Sequence, residues 1–218
     1  MEGKQLIVHK AAEVFLRYGI RSVTMDDLCR ELSISKKTLY QHVADKEELI
    51  LEVLHQHTCE EQDNYERIAA AARDAVEELL LISFWTQEAI SKVPPVLIYD
   101  LRKYHPKVWQ EMLSKDFKGT YGLIMNNLHK GVAQGLYRAE LPADIAARVF
   151  LAQNEGMVQD HIFPNNDSQL LKQGIIVKDN LFIRGIATPA GLARLEYYRE
   201  NGLSRVDLSF MGNEIKQA

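Results

Sequence analysis

Residues 36–46 gather side chains that can donate hydrogen bonds or meet anions: Lys36, Lys37, Thr38, Tyr40, Gln41, His42 and Lys46. A lysine can donate to O6 or N7 of guanine, a glutamine can bond adenine through two atoms, and hydroxyl or imidazole tips suit phosphate oxygens. On a helix, Lys36 and Tyr40 stack four residues apart, as do Lys37 and Gln41. Ile34, Leu39 and Val43 then turn inward together. A major groove about 12 Å wide admits one such helix. The chemistry on offer is recognition of duplex DNA, with Lys36, Lys37, Thr38 and Gln41 reaching base edges and Tyr40 and His42 meeting phosphates. Each residue alone also fits a plainer role: the lysines as solvated surface, Tyr40 as half-buried packing, His42 as a structural ring. Their conjunction on one short, outward face is what points to DNA.

Stepping outward, the elements that must hold this face are also legible. Apolar residues Leu6 or Ile7, Ala11, Val14 or Phe15 and Tyr18 recur at helical spacing over 4–18, and Gly19 follows where a left-handed backbone costs it nothing. Thr24-Met25-Asp26-Asp27 reads as an N-cap with an acid three residues on, opening a short helix to residue 32. Its two aspartates sit in the first turn, where the helix dipole favours them. Ser33-Ile34 is a tight turn, Ser35 caps a helix over 36–43, and Asp45-Lys46-Glu47-Glu48 opens the next helix. Two short helices joined by a tight turn are the helix-turn-helix layout. Thr24 and Lys46 stand at helix starts, where free backbone N–H groups attract phosphate, and join the expected phosphate contacts.

Composition narrows the classes. The chain has 218 residues, 46% hydrophobic and 26% charged, which suits a folded protein with a substantial core. Its 12 Gly and 6 Pro leave long uninterrupted stretches, favouring helices. The net charge is −4, and the first fifty residues carry as many acids as bases, so affinity for DNA must come from a local patch. Cys29 and Cys59 are the two cysteines, too few for a disulfide framework, and the start of the chain lacks a signal-peptide layout; the expected location is the cytoplasm. No Gly-rich phosphate loop, Gly-x-Ser-x-Gly or His-Glu-x-x-His occurs, so no catalytic residue is assigned and an enzyme is not expected. His55-x-His57-x-Cys59 suggests a metal, but His57 points away from the other two on a helix; neither a metal nor a cofactor is expected.

Val23-Thr24-Met25-Asp26-Asp27-Leu28, Leu32-Ser33-Ile34-Ser35-Lys36-Lys37-Thr38-Leu39-Tyr40-Gln41-His42-Val43 and Asp45-Lys46-Glu47-Glu48-Leu49 together resemble the DNA-binding domain of the TetR/AcrR regulators. The stretch from Gly131 through Gly135 to Pro142 and Asp144 resembles a later helix link of the same family. The resemblance implies an all-α homodimer: an N-terminal three-helix DNA-binding domain and a C-terminal helical ligand-binding and dimerisation domain. It implies phosphate contacts at Thr24, Tyr40, His42 and Lys46, and base contacts at Lys36, Lys37 and Thr38. One departure stands out. The family usually has Gly where this chain has Ser33, and a left-handed serine costs about 1–2 kcal/mol.

Domains are expected at 1–46, 47–202 and a tail at 203–218. Helices are expected over about 46–72, to 92, 96–104, 106–134, 143–162, 168–187 and 192–201. A ligand pocket needs apolar walls and a few polar groups. Its candidates are Phe84, Trp85, Tyr99, Tyr104, Trp109, Met112, Tyr121, Met125, Phe150 and Met157, with Gln153, Asn154 and His161 as polar members; all equally fit an ordinary core. Ile145, Val149, Ala152 and Gly156 form one helical stripe, and Leu171, Ile175, Phe182 and Ile186 another. The resemblance makes these the dimer interface; the alternative is intramolecular core. The reading is a repressor released from a palindromic operator by a small molecule. Its competitors are an effector-independent or architectural DNA-binding protein and a helical small-molecule-binding enzyme.

Overall fold

The computed structural model describes residues 3–157 and 168–204. Among them the named elements are all helices: α1 (Gly3–Tyr18), α2 (Met25–Leu32), α3 (Lys36–Tyr40), α4 (Lys46–Ala71), α5 (Ala75–Lys92), α6 (Pro95–Tyr104), α7 (Pro106–Ala133), α8 (Ala143–Met157), α9 (Ser168–Ile186) and α10 (Pro189–Asn201). The fold class is all-α, as expected. Pro95, Pro106 and Pro189 each open a helix, where a missing N–H costs nothing. Pro189 thus starts α10 three residues earlier than the sequence reading placed it. The expected end of the helix over 143–162 and most of the tail at 203–218 lie outside the described residues.

Two compact units divide the chain: Met1–Glu61 with Val93–Asp116, and Gln62–Lys92 with Phe117–Ala218. Their limits fall inside α4 and α7 and not at residue 46. The first unit therefore takes α6 and the start of α7 along with the first three helices, because Leu97, Leu101 and Val108 share one core with Ile7, Phe15, Leu28, Leu39 and Leu49. Leu28, Leu39 and Leu49 are completely buried; each contributes about 1.5–3 kcal/mol of transfer free energy.

The second unit packs α5, α7, α8, α9 and α10 around Val76, Ile82, Trp85, Ile124, Phe150, Ile183 and Leu195. Asp74 caps α5 by accepting the N–H groups of Val76 and Glu77, both at 3.0 Å, and takes the Tyr198 hydroxyl at 2.6 Å, so α10 is pinned to the start of α5. The link after α7 is set by close approach. A β-carbon at Gly131 would lie 1.9 Å from the Tyr137 ring, so only glycine lets that ring lie down on α7. Tyr137 then donates its hydroxyl to the Ala75 carbonyl at 2.8 Å and forms an isolated antiparallel bridge with Ala187.

Candidate nucleic-acid interface and ligand cavity

The turn between α2 and α3 is built as the sequence reading required. Thr24 caps α2 in a full capping box with Asp27: its hydroxyl accepts the Asp27 N–H at 3.2 Å, and Asp27 accepts the Thr24 N–H at 2.8 Å. The Thr24 hydroxyl proton goes to the Asp27 carboxylate at 2.6 Å, and that bond, with the backbone bond, holds the Asp27 carboxyl below its ordinary pKa. Ser33 adopts φ 53, ψ 39, a left-handed conformation, and is the one non-glycine residue with positive φ among those described. Ser35 caps α3 by accepting the Thr38 N–H at 3.1 Å.

α3 is shorter than expected. It ends at Tyr40, and the chain continues to Val43 through mixed three- and four-residue bonds: Gln41 N–H to the Lys37 and Thr38 carbonyls at 3.1 and 3.3 Å, and the His42 and Val43 N–H groups to the Leu39 carbonyl at 3.0 and 3.2 Å. The face still forms. Lys36, Lys37, Tyr40 and Gln41 are exposed, and Leu39 is buried beneath them. The Lys37 and Gln41 side chains make no intramolecular hydrogen bond among the described residues. Lys36 pairs with Asp26 on α2 at 2.8 Å, which raises its pKa; both partners are solvent-exposed, so the pair is weak and exchangeable. Thr38 is half-buried, its hydroxyl 2.9 Å from that of Ser35, and the half-buried His42 ring lies against Gly3 of α1.

Lys46 departs from the expected role. Its ammonium turns inward and donates to the backbone carbonyls of Ile20, at 2.6 Å, and Val23. Burial pushes its pKa down, against the pull of the Asp100 and Asp27 charges. The side chain braces the α1–α2 loop, whose carbonyls would otherwise lack donors. Asp100 completes the brace and was not singled out by sequence: it is buried on α6 and accepts the Arg21 N–H at 2.8 Å. An aspartate within an apolar helix run, Leu97 to Leu101, was the available signal.

In the second unit a cavity of about 70 Å³ is lined by Tyr65, Leu79, Ile82, Ser83, Thr86, Thr120, Leu123, Ile124, Phe150, Asn154, Lys178, Asp179, Phe182 and Ile183. Of the candidates named from sequence, Phe150 and Asn154 line it. Trp85 is core, stacked edge-on to Tyr65 at 5.0 Å. Tyr121 donates to Asp144 at 2.6 Å, Met125 and Phe84 are half-buried, Met157 is buried and Gln153 is exposed. Tyr99, Tyr104, Trp109 and Met112 belong to the first unit, and His161 lies outside the described residues. Lys178 and Asp179 were missed. Their signal was an adjacent opposite-charge pair inside the apolar run Ile175 to Ile183.

The two stripes fare differently. On α8, Ile145 and Val149 are 55% and 48% exposed and Ala152 is also outward, with Gly156 half-buried. On α9, Ile175, Phe182 and Ile186 are buried in the unit's own core and Leu171 is half-buried, so this stripe is intramolecular. The outward apolar line of α9 is instead Leu170, Val177 and Leu181, up to 64% exposed. α9 is apolar on two sides, and periodicity alone does not say which side faces solvent.

Among the described residues no group of three or more His, Cys, Asp or Glu side chains is placed to hold a metal. His55 Nδ1 lies 4.0 Å from Cys59 Sγ, while His57 reaches toward Glu61 instead, at 3.7 Å. No described helix is long and apolar enough to cross a membrane.

Residues 7–53 match the family model described as bacterial regulatory proteins, tetR family. The chain is 29% identical over 85 residues to the HTH-type transcriptional regulator UidR of Escherichia coli K12, covering 39% of this chain and 40% of UidR. It is 26% identical over 148 residues to the HTH-type transcriptional repressor KstR2 of Mycolicibacterium smegmatis, covering 65% and 71% of the two chains. The chain thus spans well under half the length of UidR in that match. Among solved structures, reduced E. coli NemR superposes with a TM-score of 0.67 at 16% identity, over 87% of this chain and all of that one, which establishes the shared fold. Residues 7–53 of the chain thus match the tetR family of bacterial regulatory proteins, and its helical fold is shared with solved regulators of that family.

Proposed function

We propose that the protein is a dimeric, sequence-specific DNA-binding transcriptional repressor, released from a palindromic operator by a small-molecule effector. The observation that carries this reading is the capped helix-turn-helix within the family-matched segment 7–53, with Lys37, Tyr40 and Gln41 outward and no partner among the described residues holding the Lys37 or Gln41 side chain. In this reading Lys36, Lys37, Thr38 and Gln41 contact bases, while Tyr40, His42 and the free backbone N–H groups in the first turns of α2, which Thr24 caps, and of α4, which Lys46 opens, meet phosphates. The exposed lines of α8 (Ile145, Val149, Ala152) and α9 (Leu170, Val177, Leu181) support a helical dimer interface. Two heads about 34–36 Å apart would then read successive major grooves, so the operator is palindromic. The cavity of the second unit supports an effector, which weakens DNA binding by preferring a different spacing of the heads. The protein acts in the cytoplasm.

Selection of binding sites from genomic fragments with purified protein tests this. A palindrome with half-sites about one helical turn apart is the expected result. Binding that is salt-sensitive but indifferent to sequence would support an architectural protein, and no DNA binding would overturn the reading.

A further inference from the structure

The cavity of the second unit contains a polar device on one wall. Asp179 and Lys178 of α9 both line it, with side chains only 8% and 9% exposed. Lys178 Nζ donates to Asn154 Oδ1 on α8, sits 4.1 Å from the centre of the Phe150 ring, and lies 2.8 Å from Asp179 Oδ1. The ammonium is thus surrounded by acceptors. The carboxylate is not matched in return. Asp179 Oδ1 is buried and receives no hydrogen bond of adequate geometry among the described residues, and Lys178 is its one ion-pair partner. A buried carboxylate oxygen met by a single ammonium at poor hydrogen-bond geometry is under-satisfied, so the site favours whatever brings a well-aligned donor.

We propose that this cavity, if it is the effector site of the preceding reading, selects small neutral amphiphiles carrying a hydroxyl group, which donates to Asp179 while its oxygen accepts from Lys178. Charge decides the class. The Lys178–Asp179 pair is already neutral, so a ligand carboxylate would be buried against Asp179 and a ligand ammonium against Lys178, each as an uncompensated charge. A hydroxyl is both donor and acceptor and adds no net charge. The hydroxyls of Thr86 and Thr120 offer further partners, and Ile82, Ile124 and Phe182 supply walls for an apolar body.

Four probes on one skeleton test this: cyclohexylmethanol, cyclohexanecarboxylate, cyclohexylmethylammonium and methylcyclohexane, titrated into the full chain while the methyl resonances of Ile82 and Ile124 are followed by NMR. Cyclohexylmethanol is expected to give saturable shifts at least tenfold tighter than either ion. The paired variant Lys178→Met with Asp179→Leu removes both charges at once and avoids stranding one of them. It should lose at least tenfold in affinity for the alcohol and favour methylcyclohexane instead. Tighter binding of an ion, equal binding of all four probes, or no binding of the alcohol would overturn the proposal. Operator affinity with and without bound alcohol is measured separately: saturation of the cavity with no change in DNA binding overturns the effector reading and leaves the ligand class standing.

Discussion

The carboxylate of Asp100 accepts the backbone N–H of Arg21 at 2.8 Å, tying α6 to the loop that leads into the helix-turn-helix. Seventy-nine residues separate the two in sequence. The same carboxylate lies 3.2 Å from where a β-carbon of Gly19 would stand, and Gly19 needs its φ of +79, so the loop closes against α6 only with glycine there. Arg21 also donates to the Tyr104 hydroxyl at 2.7 Å, giving the loop a second hold on α6. Asp100→Ala leaves the Arg21 N–H without its acceptor and removes a charge that supports the Lys46 ammonium. The expected loss is about 1–3 kcal/mol, read as a lower melting temperature and as faster hydrogen exchange at the Arg21 amide. An unchanged exchange rate at that amide would show that the bond does not hold the loop.

Ser33→Gly is expected to stabilise the protein. Ser33 occupies a left-handed backbone that costs a serine about 1–2 kcal/mol, and glycine's greater freedom in the unfolded chain returns part of that gain. The net rise should be under about 1 kcal/mol, a few degrees at most in the thermal midpoint. A fall in midpoint would mean that the exposed serine side chain contributes something its geometry does not reveal.

The head was readable in the sequence because its signals are local. Thr24, Ser33 and Ser35 each act within three or four residues, and all three stand where the sequence put them. That α6 packs with the first helices was not legible, because Asp100 and Arg21 meet only after folding, and no spacing rule joins positions that far apart. The ligand candidates suffered from the same cause. An aromatic residue such as Trp85 or Tyr99 has identical chemistry in a core, on a surface and in a cavity. The Lys178–Asp179 pair becomes informative only once its burial is known.

Lys37 and Lys46 should respond oppositely to removal. Lys37→Ala is expected to relax preference at particular base pairs of the selected operator, costing about 1–3 kcal/mol there, with little change in the melting temperature. Lys46→Ala removes the donor to the Ile20 and Val23 carbonyls and should lower the melting temperature instead. Because its ammonium is engaged internally, the slope of log affinity against log salt should stay as in the parent. A slope smaller by about one would show that Lys46 swings out onto a phosphate when DNA binds.

Acid should unfold the second unit in part through Glu77. Its burial favours the neutral acid, but bonds from the Arg73 guanidinium and from the N–H groups of Arg73 and Ser204 outweigh it, holding the carboxyl at about 2. A carboxyl depressed in the folded state adds stability that is fully present above its unfolded pKa, near 4.5. That stability is lost as pH falls from about 4.5 through about 2, and amounts to about 3 kcal/mol. Glu77→Gln should therefore be less stable at pH 7 and lose less on acidification, measured as urea midpoints between pH 7 and pH 3. Parallel curves for the two proteins would exclude this role.

The outward line of α9 is the sharpest test of assembly. Leu181 is 64% exposed while Ile175, on the same helix, is 3% exposed. Leu181→Glu puts a charge on the outward face and leaves the core untouched. If that face joins two copies, the glutamate must be buried unpaired at their contact, and sedimentation velocity should report monomers with a nearly unchanged helical signal. Ile175→Ala serves as the counterpart, since it opens a cavity in the unit's own core. It should cost about 2–5 kcal/mol of fold stability with the association state retained at temperatures where the chain stays folded. A Leu181→Glu protein that still sediments as a dimer would move the interface off this line, leaving the exposed Ile145 and Val149 of α8 as the surface to change next.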